Sequence, residues 1–317
     1  LRLSSGAITR RRLALGGFCL CCLPGTLRRA LAAPGPFATD EVAEGVHIRR
    51  GVDQDASAAN DDAIANIGFI IGSKGVLVTD SGGSLADGEN LRATIRQKTD
   101  APIKYVVMSH IHADHIFGAG AFLKDSPIFV GHYRLAEAMR ARGEYYQKVL
   151  SDIIGADRAG PIVQPTLEVK DPTDFDLGDR VISAAAHGPA HTTSDLTLID
   201  RKTGLLLTAD LVFVQRMPSL DGSLPGWLKE LAALKQIPAA RAVPGHGPVA
   251  IDWPAGAADI ERYLTTLRSD VSQAIARNVD IEKAEKIAAQ SESGKWTLFD
   301  DYNGRNAIAA YKELEWQ

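Results

Sequence analysis

The sequence predicts an α/β layered protein, and three observations carry that expectation. Short β-rich apolar runs alternate with stretches whose apolar residues recur three and four apart, the pattern of strands interleaved with amphipathic helices. The 317 residues are 45% hydrophobic and 23% charged, an ordinary globular mix with enough chain to bury a sizeable core. No low-complexity tract, fixed-period repeat or linker divides the chain beyond residue 33, so a single domain is expected over 33–317.

Residues 1–32 stand apart. Thr9-Arg10-Arg11-Arg12-Leu13 is basic, 13–27 is apolar, and Ala30-Leu31-Ala32-Ala33-Pro34 is rich in small residues. That order is the order of a cleaved export signal. Paired arginines before a Leu-rich run resemble a twin-arginine signal, and a periplasmic or secreted mature protein is expected. All three cysteines, Cys19, Cys21 and Cys22, fall inside this segment, as do six of the 35 basic residues and no acid. Cleavage therefore takes the formal charge from −4 to −10 and leaves no cysteine. A disulfide framework, a thiolate metal ligand and a thiol nucleophile are all excluded for such a mature chain. An acidic surface argues against a nucleic-acid partner. No later apolar stretch is long enough for a permanent membrane span.

The elements follow in order. Short strands are predicted at 46–48, 64–71 and 76–79, the last two joined by a turn with glycine at both ends, Gly72 and Gly75. Leu91 and Ile95 mark a helix over 85–97. Residues 103–108 form a buried strand, and a longer helix spans 132–154 with Leu135, Met139, Tyr146, Val149 and Ile153 on one face. The stretch 155–180 reads as loop. Strands follow at 181–186, 196–199, 205–211 and 241–243. From about residue 255 the chain turns helical, with Ile260, Leu264, Leu267, Val271 and Ile275 as an apolar stripe and a last helix near 306–316.

Chemistry-bearing residues gather at strand ends. His110-Ile111-His112-Ala113-Asp114-His115 directly follows the 103–108 strand and packs four potential ligands into six residues. Imidazole and carboxylate together suit zinc and other borderline divalent metals. His110 and His112 are two apart and share a face in extended chain, while Asp114 and His115 lie past the bend, so one loop can serve two metals. His191 sits in a turn before the 196–199 strand, Asp210 ends the 205–209 run, and His246 lies in Pro244-Gly245-His246-Gly247. Taken alone, each of these last three reads as a turn or cap residue.

In this order, H-x-H-x-D-H at 110–115, G-x-x-H-T ending at His191-Thr192, Asp210 after a strand, and P-G-H-G at 244–247 resemble the metallo-β-lactamase superfamily over about residues 42–250. The resemblance implies an αββα sandwich, two mixed sheets flanked by helices, with extra C-terminal helices. It implies two zinc ions, with iron or manganese as substitutes. His110, His112 and His191 would hold one ion, Asp114, His115 and His246 the other, and Asp210 would bridge them. Asp80 matches the family's early aspartate and is expected to orient a loop or ligand from behind. Asp195 is expected either to support the site in the same way or to stabilise its turn, and His187 to line the site or to cap a turn. His47 and His132 are expected at the surface or in packing.

Such a centre implies hydrolysis of an ester, thioester, lactone or amide by a metal-bridging hydroxide, with Asp114 also orienting the water. A finer resemblance, in 221–228, 243–248 and 311–316, is to the quinoprotein relay system zinc metallohydrolases, which suggests a periplasmic quinoprotein as partner beside a small-molecule substrate. Two alternatives compete. A mononuclear iron persulfide dioxygenase would use two histidines and one aspartate and leave His112 and His246 spare. A non-catalytic accessory or maturation factor would dock on a quinoprotein through the 221–228 loop. Four tryptophans, 227, 253, 296 and 316, are candidates to fill the C-terminal helical layer. Substrate fit is expected to depend on 53–62, 140–165 and 213–228.

Overall fold

A computed structural model describes residues 35–316 of the chain. The expected export signal over 1–32 lies outside the described residues. Two β-sheets pack face to face between helical layers. The first sheet has seven strands in sequential order: β1 (Asp40–Ala43), β2 (Val46–Arg49), β3 (Ile67–Gly72), β4 (Gly75–Thr79), β5 (Ile103–Met108), β6 (Ile128–His132) and β7 (Leu167–Val169). Its first four strands pair antiparallel, β1 to β2 and β3 to β4 through short turns and β2 to β3 through the 50–66 loop, and β4 to β7 pair parallel. The parallel half needs crossovers, supplied by α1 (Leu85–Lys98), by the one-turn α2 (Ala113–Ile116) with the 3-10 segment after it, and by α3 (Leu135–Ile154) and α4 (Ala156–Ala159).

The second sheet runs β13-β12-β11-β10-β9-β8. Its strands are β8 (Thr173–Asp176), β9 (Val181–Ala186), β10 (Leu196–Asp200), β11 (Leu205–Phe213), β12 (Arg241–His246) and β13 (Ile251–Asp252), with α5 (Leu224–Leu234) carrying the parallel crossover from β11 to β12. The C-terminal helices α6 (Ala258–Ala276), α7 (Ile281–Ile287) and α8 (Phe299–Leu314) complete the outer layer.

Alternation along the strands builds three apolar layers. In β4, Leu77 points between the sheets, where it joins Val107, Phe175 and Leu198, while Val76 and Val78 point outward to Leu91 and Ile95 of α1. In β11, Leu205 and Leu207 face inward and Leu206 faces the layer of Trp227, Leu231, Leu264 and Leu267. Strands buried on both faces read as continuous apolar runs, so the sequence showed strands without showing which side met what.

Several expectations need correction. Residues 128–132 are a strand, and α3 starts only at Leu135; Ile128-Phe129-Val130 lies inside the first sheet, so His132 is a buried strand residue rather than a helix start. The 155–180 stretch is not simply loop: it contributes α4 and one strand to each sheet. The third strand begins at Ile67, not Ile64. The last helix begins at Phe299, seven residues before its expected start. The 221–228 segment is loop only as far as Ser223, which caps α5, and Trp227 is fully buried with its indole N–H donating to Leu211 O at 3.0 Å. Trp253 and Trp296 are buried as well, but Trp316 is 85% exposed. Among the described residues no helix is long and apolar enough to cross a membrane.

Candidate metal centre

The strand ends place seven donors in one spot. The bend after β5 presents His110 and His112, and α2 presents Asp114 and His115. The turn after β9 presents His191, β11 presents Asp210, and β12 ends on His246. Asp210 depends on a local irregularity. The register of β11 against β12 shifts between Leu207 and Ala209, and Ala209 takes a positive φ of 44°. Such a bulge re-aims the following side chain. Gly245 is required opposite it, since a Cβ there would stand 1.9 Å from Asp210 Oδ1.

One ligand atom each from His110, His112, His191 and Asp210 falls within 4.8 Å of the others, and the same holds for Asp114, His115 and His246. Asp210 stands between the two groups. Its Oδ2 lies 3.6 Å from His110 Nε2, 3.3 Å from His191 Nε2 and 3.4 Å from His246 Nε2, and its Oδ1 lies 3.1 Å from His115 Nε2. Asp114 Oδ2 lies 3.3 Å from His246 Nε2 and 3.6 Å from His115 Nε2.

Each of the five rings is held from behind. His191 Nδ1 donates to Ser219 O at 2.8 Å and His246 Nδ1 to Ile64 O at 3.0 Å. His115 Nδ1 donates to Asp80 Oδ2 at 2.9 Å. His110 Nδ1 donates to Ser109 Oγ at 2.9 Å, and that hydroxyl donates on to Asp80 Oδ2, also at 2.9 Å. His112 Nε2 faces Asp221 Oδ2 at 3.4 Å, which turns its Nδ1 inward to 2.9 Å from His191 Nε2. A proton fixed on the outer nitrogen leaves a lone pair on the inner one, the arrangement that suits a metal-ligating histidine.

Three of the inner atoms lack partners. His110 Nε2, His115 Nε2 and Asp210 Oδ1 are buried without a hydrogen bond, and the close approach of the last two is not aligned as one. Unsatisfied buried polar atoms are costly, and converging ones call for a cation. Electrostatics agree. Burial, then the neighbouring His115, push His110 well below the ordinary imidazole range, and burial with His112 brings His191 down to about 3. Burial opposes ionisation of Asp114 and Asp210, but His115 and His246 outweigh it and hold both below the usual carboxylate range. Burial also disfavours charge on His115 and His246, yet Asp210 leads the groups that raise both. Ionised carboxylates beside His110 and His191, which are held neutral, fit divalent cations, and the same carboxylates draw positive charge onto His115 and His246.

Of the supporting residues named from sequence, Asp80 sits behind His110 and His115 as described. Asp195 braces the His191 loop: its carboxylate accepts from Thr192 N at 2.9 Å and Thr192 Oγ1 at 2.6 Å. His187 does not line the centre. Its ring bridges Glu230 Oε2 at 2.9 Å and Thr197 Oγ1 at 2.8 Å, because β9 ends at Ala186 and the side chain turns toward α5. His47 is buried against Phe69.

Sequence reasoning missed Ser109 and Asp221 as the partners of His110 and His112, although both lie beside quoted motifs. It also missed Asp62, a buried residue with φ of 61° whose carboxyl is pushed well up by burial and then by Asp114. A cleft of about 590 Å³ opens over the donors. The three expected segments line it with Asp55, Tyr146 and Arg216 among others, and α8 adds Tyr302 and Arg305.

Comparisons with known proteins agree with this geometry. The sequence pattern of the metallo-beta-lactamase superfamily matches residues 60–246. A linear primary-alkylsulfatase of Pseudomonas sp. is 29% identical over 102 residues, 32% of this chain and 17% of that protein. Acyl-coenzyme A thioesterase MBLAC2 of Gallus gallus is 29% identical over 181 residues, 52% of this chain and 61% of that protein. The chain thus spans less than two thirds of the length of either relative. A solved metallo-beta-lactamase from Pontibacter korlensis shares the fold, with a TM-score of 0.58 at 18% identity over 72% of this chain and 98% of that one. The family pattern takes in every one of the seven converging donors and more than half of the sequence, and the chain belongs to the metallo-β-lactamase superfamily.

Proposed function

We propose that this protein is a metal-dependent hydrolase holding two divalent cations, zinc foremost, and acting on an ester, thioester, lactone or amide. One observation carries the reading: five imidazoles, each with its outer nitrogen engaged, turn their inner nitrogens on the buried carboxylate of Asp210 and the half-buried one of Asp114. His110, His112 and His191 would hold one cation and Asp114, His115 and His246 the other, with Asp210 between. Cations bound there would lower the pKa of water toward neutrality and polarise the electrophile. Asp114 lines the cleft and is placed to accept a hydrogen bond from the attacking water and so orient it. The relatives named for an alkyl sulfate and an acyl thioester support the ester and thioester end of the range.

The iron persulfide oxygenase reading is the weaker one. His112 and His246, which a centre of two histidines and one aspartate leaves unused, both bring a ring nitrogen into the cluster. Export through a twin-arginine signal and work beside a periplasmic quinoprotein belong to the proposal too. The order of residues 9–34 supports export, and the 243–248 and 311–316 resemblance supports the quinoprotein.

Metal analysis of the purified protein, followed by a hydrolase substrate panel with and without chelator, tests the reading. About two zinc ions per chain and chelator-sensitive hydrolysis that is lost in His110→Ala are expected. A single tightly held iron with no hydrolysis across the panel would overturn it.

A further inference from the structure

The two walls of the cleft differ in chemistry. On one side α3 presents Tyr146, Val149 and Ile153, at the three- and four-residue spacing that puts them on one helix face. Val149 and Ile153 are 39% and 38% exposed, while their neighbours Leu150 and Ile154 are buried in the core. The helix is therefore apolar over a wider arc than its packing uses, and the surplus faces the cleft. Exposed apolar side chains clustered in a concavity mark a ligand surface.

On the other side α8 presents Tyr302 and Arg305. Tyr302 is flanked by two guanidinium groups, Arg216 at 5.8 Å and Arg305 at 5.6 Å from its ring centroid. Arg216 is already committed: it is buried, donates to Gln54 O, and lies 3.4 Å from Asp55 Oδ1. Tyr302 O–H donates to the same Asp55 at 2.6 Å. Arg305 is different, because it is exposed and no carboxylate among the described residues pairs with it. A guanidinium fixed over an aromatic ring and facing a cleft is suited to an anion.

The geometry points to a substrate that is an amphipathic anion, with an acyl or alkyl chain along Tyr146, Val149 and Ile153 and an anionic group at Arg305. This inference rests on the hydrolase reading for its chemistry: water adds across the scissile acyl bond, its oxygen going to the acyl carbon and a proton to the leaving group. The recognition itself rests only on the two walls. Half-buried contact with the α3 face contributes roughly a twofold gain per methylene. The single, partly solvated Arg305 contributes about fivefold.

Matched esters test it on the zinc-loaded protein: octanoyl and acetyl esters of 4-hydroxybenzoate, and the octanoyl ester of the uncharged 4-hydroxybenzamide. In kcat/KM the octanoyl benzoate should exceed the acetyl benzoate by at least about tenfold and the octanoyl benzamide by about fivefold. Arg305→Gln should bring the charged-to-neutral ratio to about one, with Arg305→Lys in between, and Ile153→Asp should cut the chain-length ratio. Calorimetry with the ether analogue 4-(octyloxy)benzoate, which has no acyl bond to cleave at the octyl linkage, and with its uncharged carboxamide reads the same charge ratio without turnover. If the binding ratios appear and no ester is cleaved, the hydrolase reading fails and the substrate class stands. If esters are cleaved with no preference for chain or charge, or if Arg305→Gln leaves the charge ratio intact, the substrate class is wrong and the hydrolase reading stands.

Discussion

The carboxylate of Asp80 lies 2.9 Å from Nδ1 of His115 and, through the hydroxyl of Ser109, also governs His110. It thereby steadies one histidine of each ligand group from a single buried point at the end of β4, where its own φ is 58°. Removing it should loosen both groups at once. Asp80→Ala is expected to weaken zinc binding at both positions by about 10–100-fold, the usual cost of losing a carboxylate behind a ligating histidine. Competition with a chromophoric chelator measures this. A loss confined to one ion would show that the Ser109 relay carries no weight.

Asp221 supplies the contrasting case. It faces only His112, and it is paired on its other side with Arg142 of α3. Asp221→Ala should lower affinity for one of the two ions, by about tenfold, and leave the other near its original value. Cobalt substitution with visible spectroscopy separates the two positions. Equal weakening of both would contradict the assignment of His112 to a single group.

Chelation should destabilise the fold. Three buried polar atoms without hydrogen bonds, and two ionised carboxylates beside five imidazoles, are satisfied together only by cations. A cation that binds the folded chain and not the unfolded one adds about 2.7 kcal/mol at a hundredfold excess over its Kd. Thermal unfolding with chelator, with zinc restored, and in Asp210→Asn follows the effect. An unchanged midpoint on chelation would mean that no cation is held in the folded protein.

A pH effect away from the centre is expected at Glu292. Burial opposes its ionisation, but hydrogen bonds from Arg262 at 2.9 Å, Lys295 at 2.9 Å and Trp296 at 3.1 Å outweigh it and hold its pKa at about 2, against an ordinary 4.5. The folded value lies below the unfolded one. The ionised form therefore stabilises the fold fully above the unfolded pKa, and this contribution fades as pH falls through the range toward 2. Glu292→Gln should cost on the order of 1–2 kcal/mol near neutrality, allowing for water around half-exposed Arg262, and the gap should close under acid. Urea unfolding of both proteins between pH 7 and pH 2.5 reads it. A gap that widens as pH falls would reverse the sign.

What the chain order alone determined was the inventory of the centre and its local setting. His110 to His115, His191, Asp210 and His246 each follow or precede a short apolar run, and strand ends were legible because burial on both faces writes a continuous apolar stretch. Strands were missed where the run was short or bounded unclearly: 128–131 went unassigned with His132 placed at the start of the helix after it, and the two strands inside 155–180 had too few residues to show a period. The tertiary structure decided everything that depends on distant residues meeting. Val149 and Ile153 have the spacing of a core stripe, and only the position of α3 turns them to the cleft. Asp221 opens the 221–228 stretch with nothing there to mark it as a partner of His112, and Tyr302 and Arg305 come from segments with no motif; the fold brings them beside His112 and Asp55 across chain separations of roughly a hundred residues and more. Periodicity records which face of an element is apolar; it holds no record of what lies opposite that face. The donors were therefore readable one by one, while their common point, the groups that hold each ring, and the two-sided cleft above them arise only when the sheets pack.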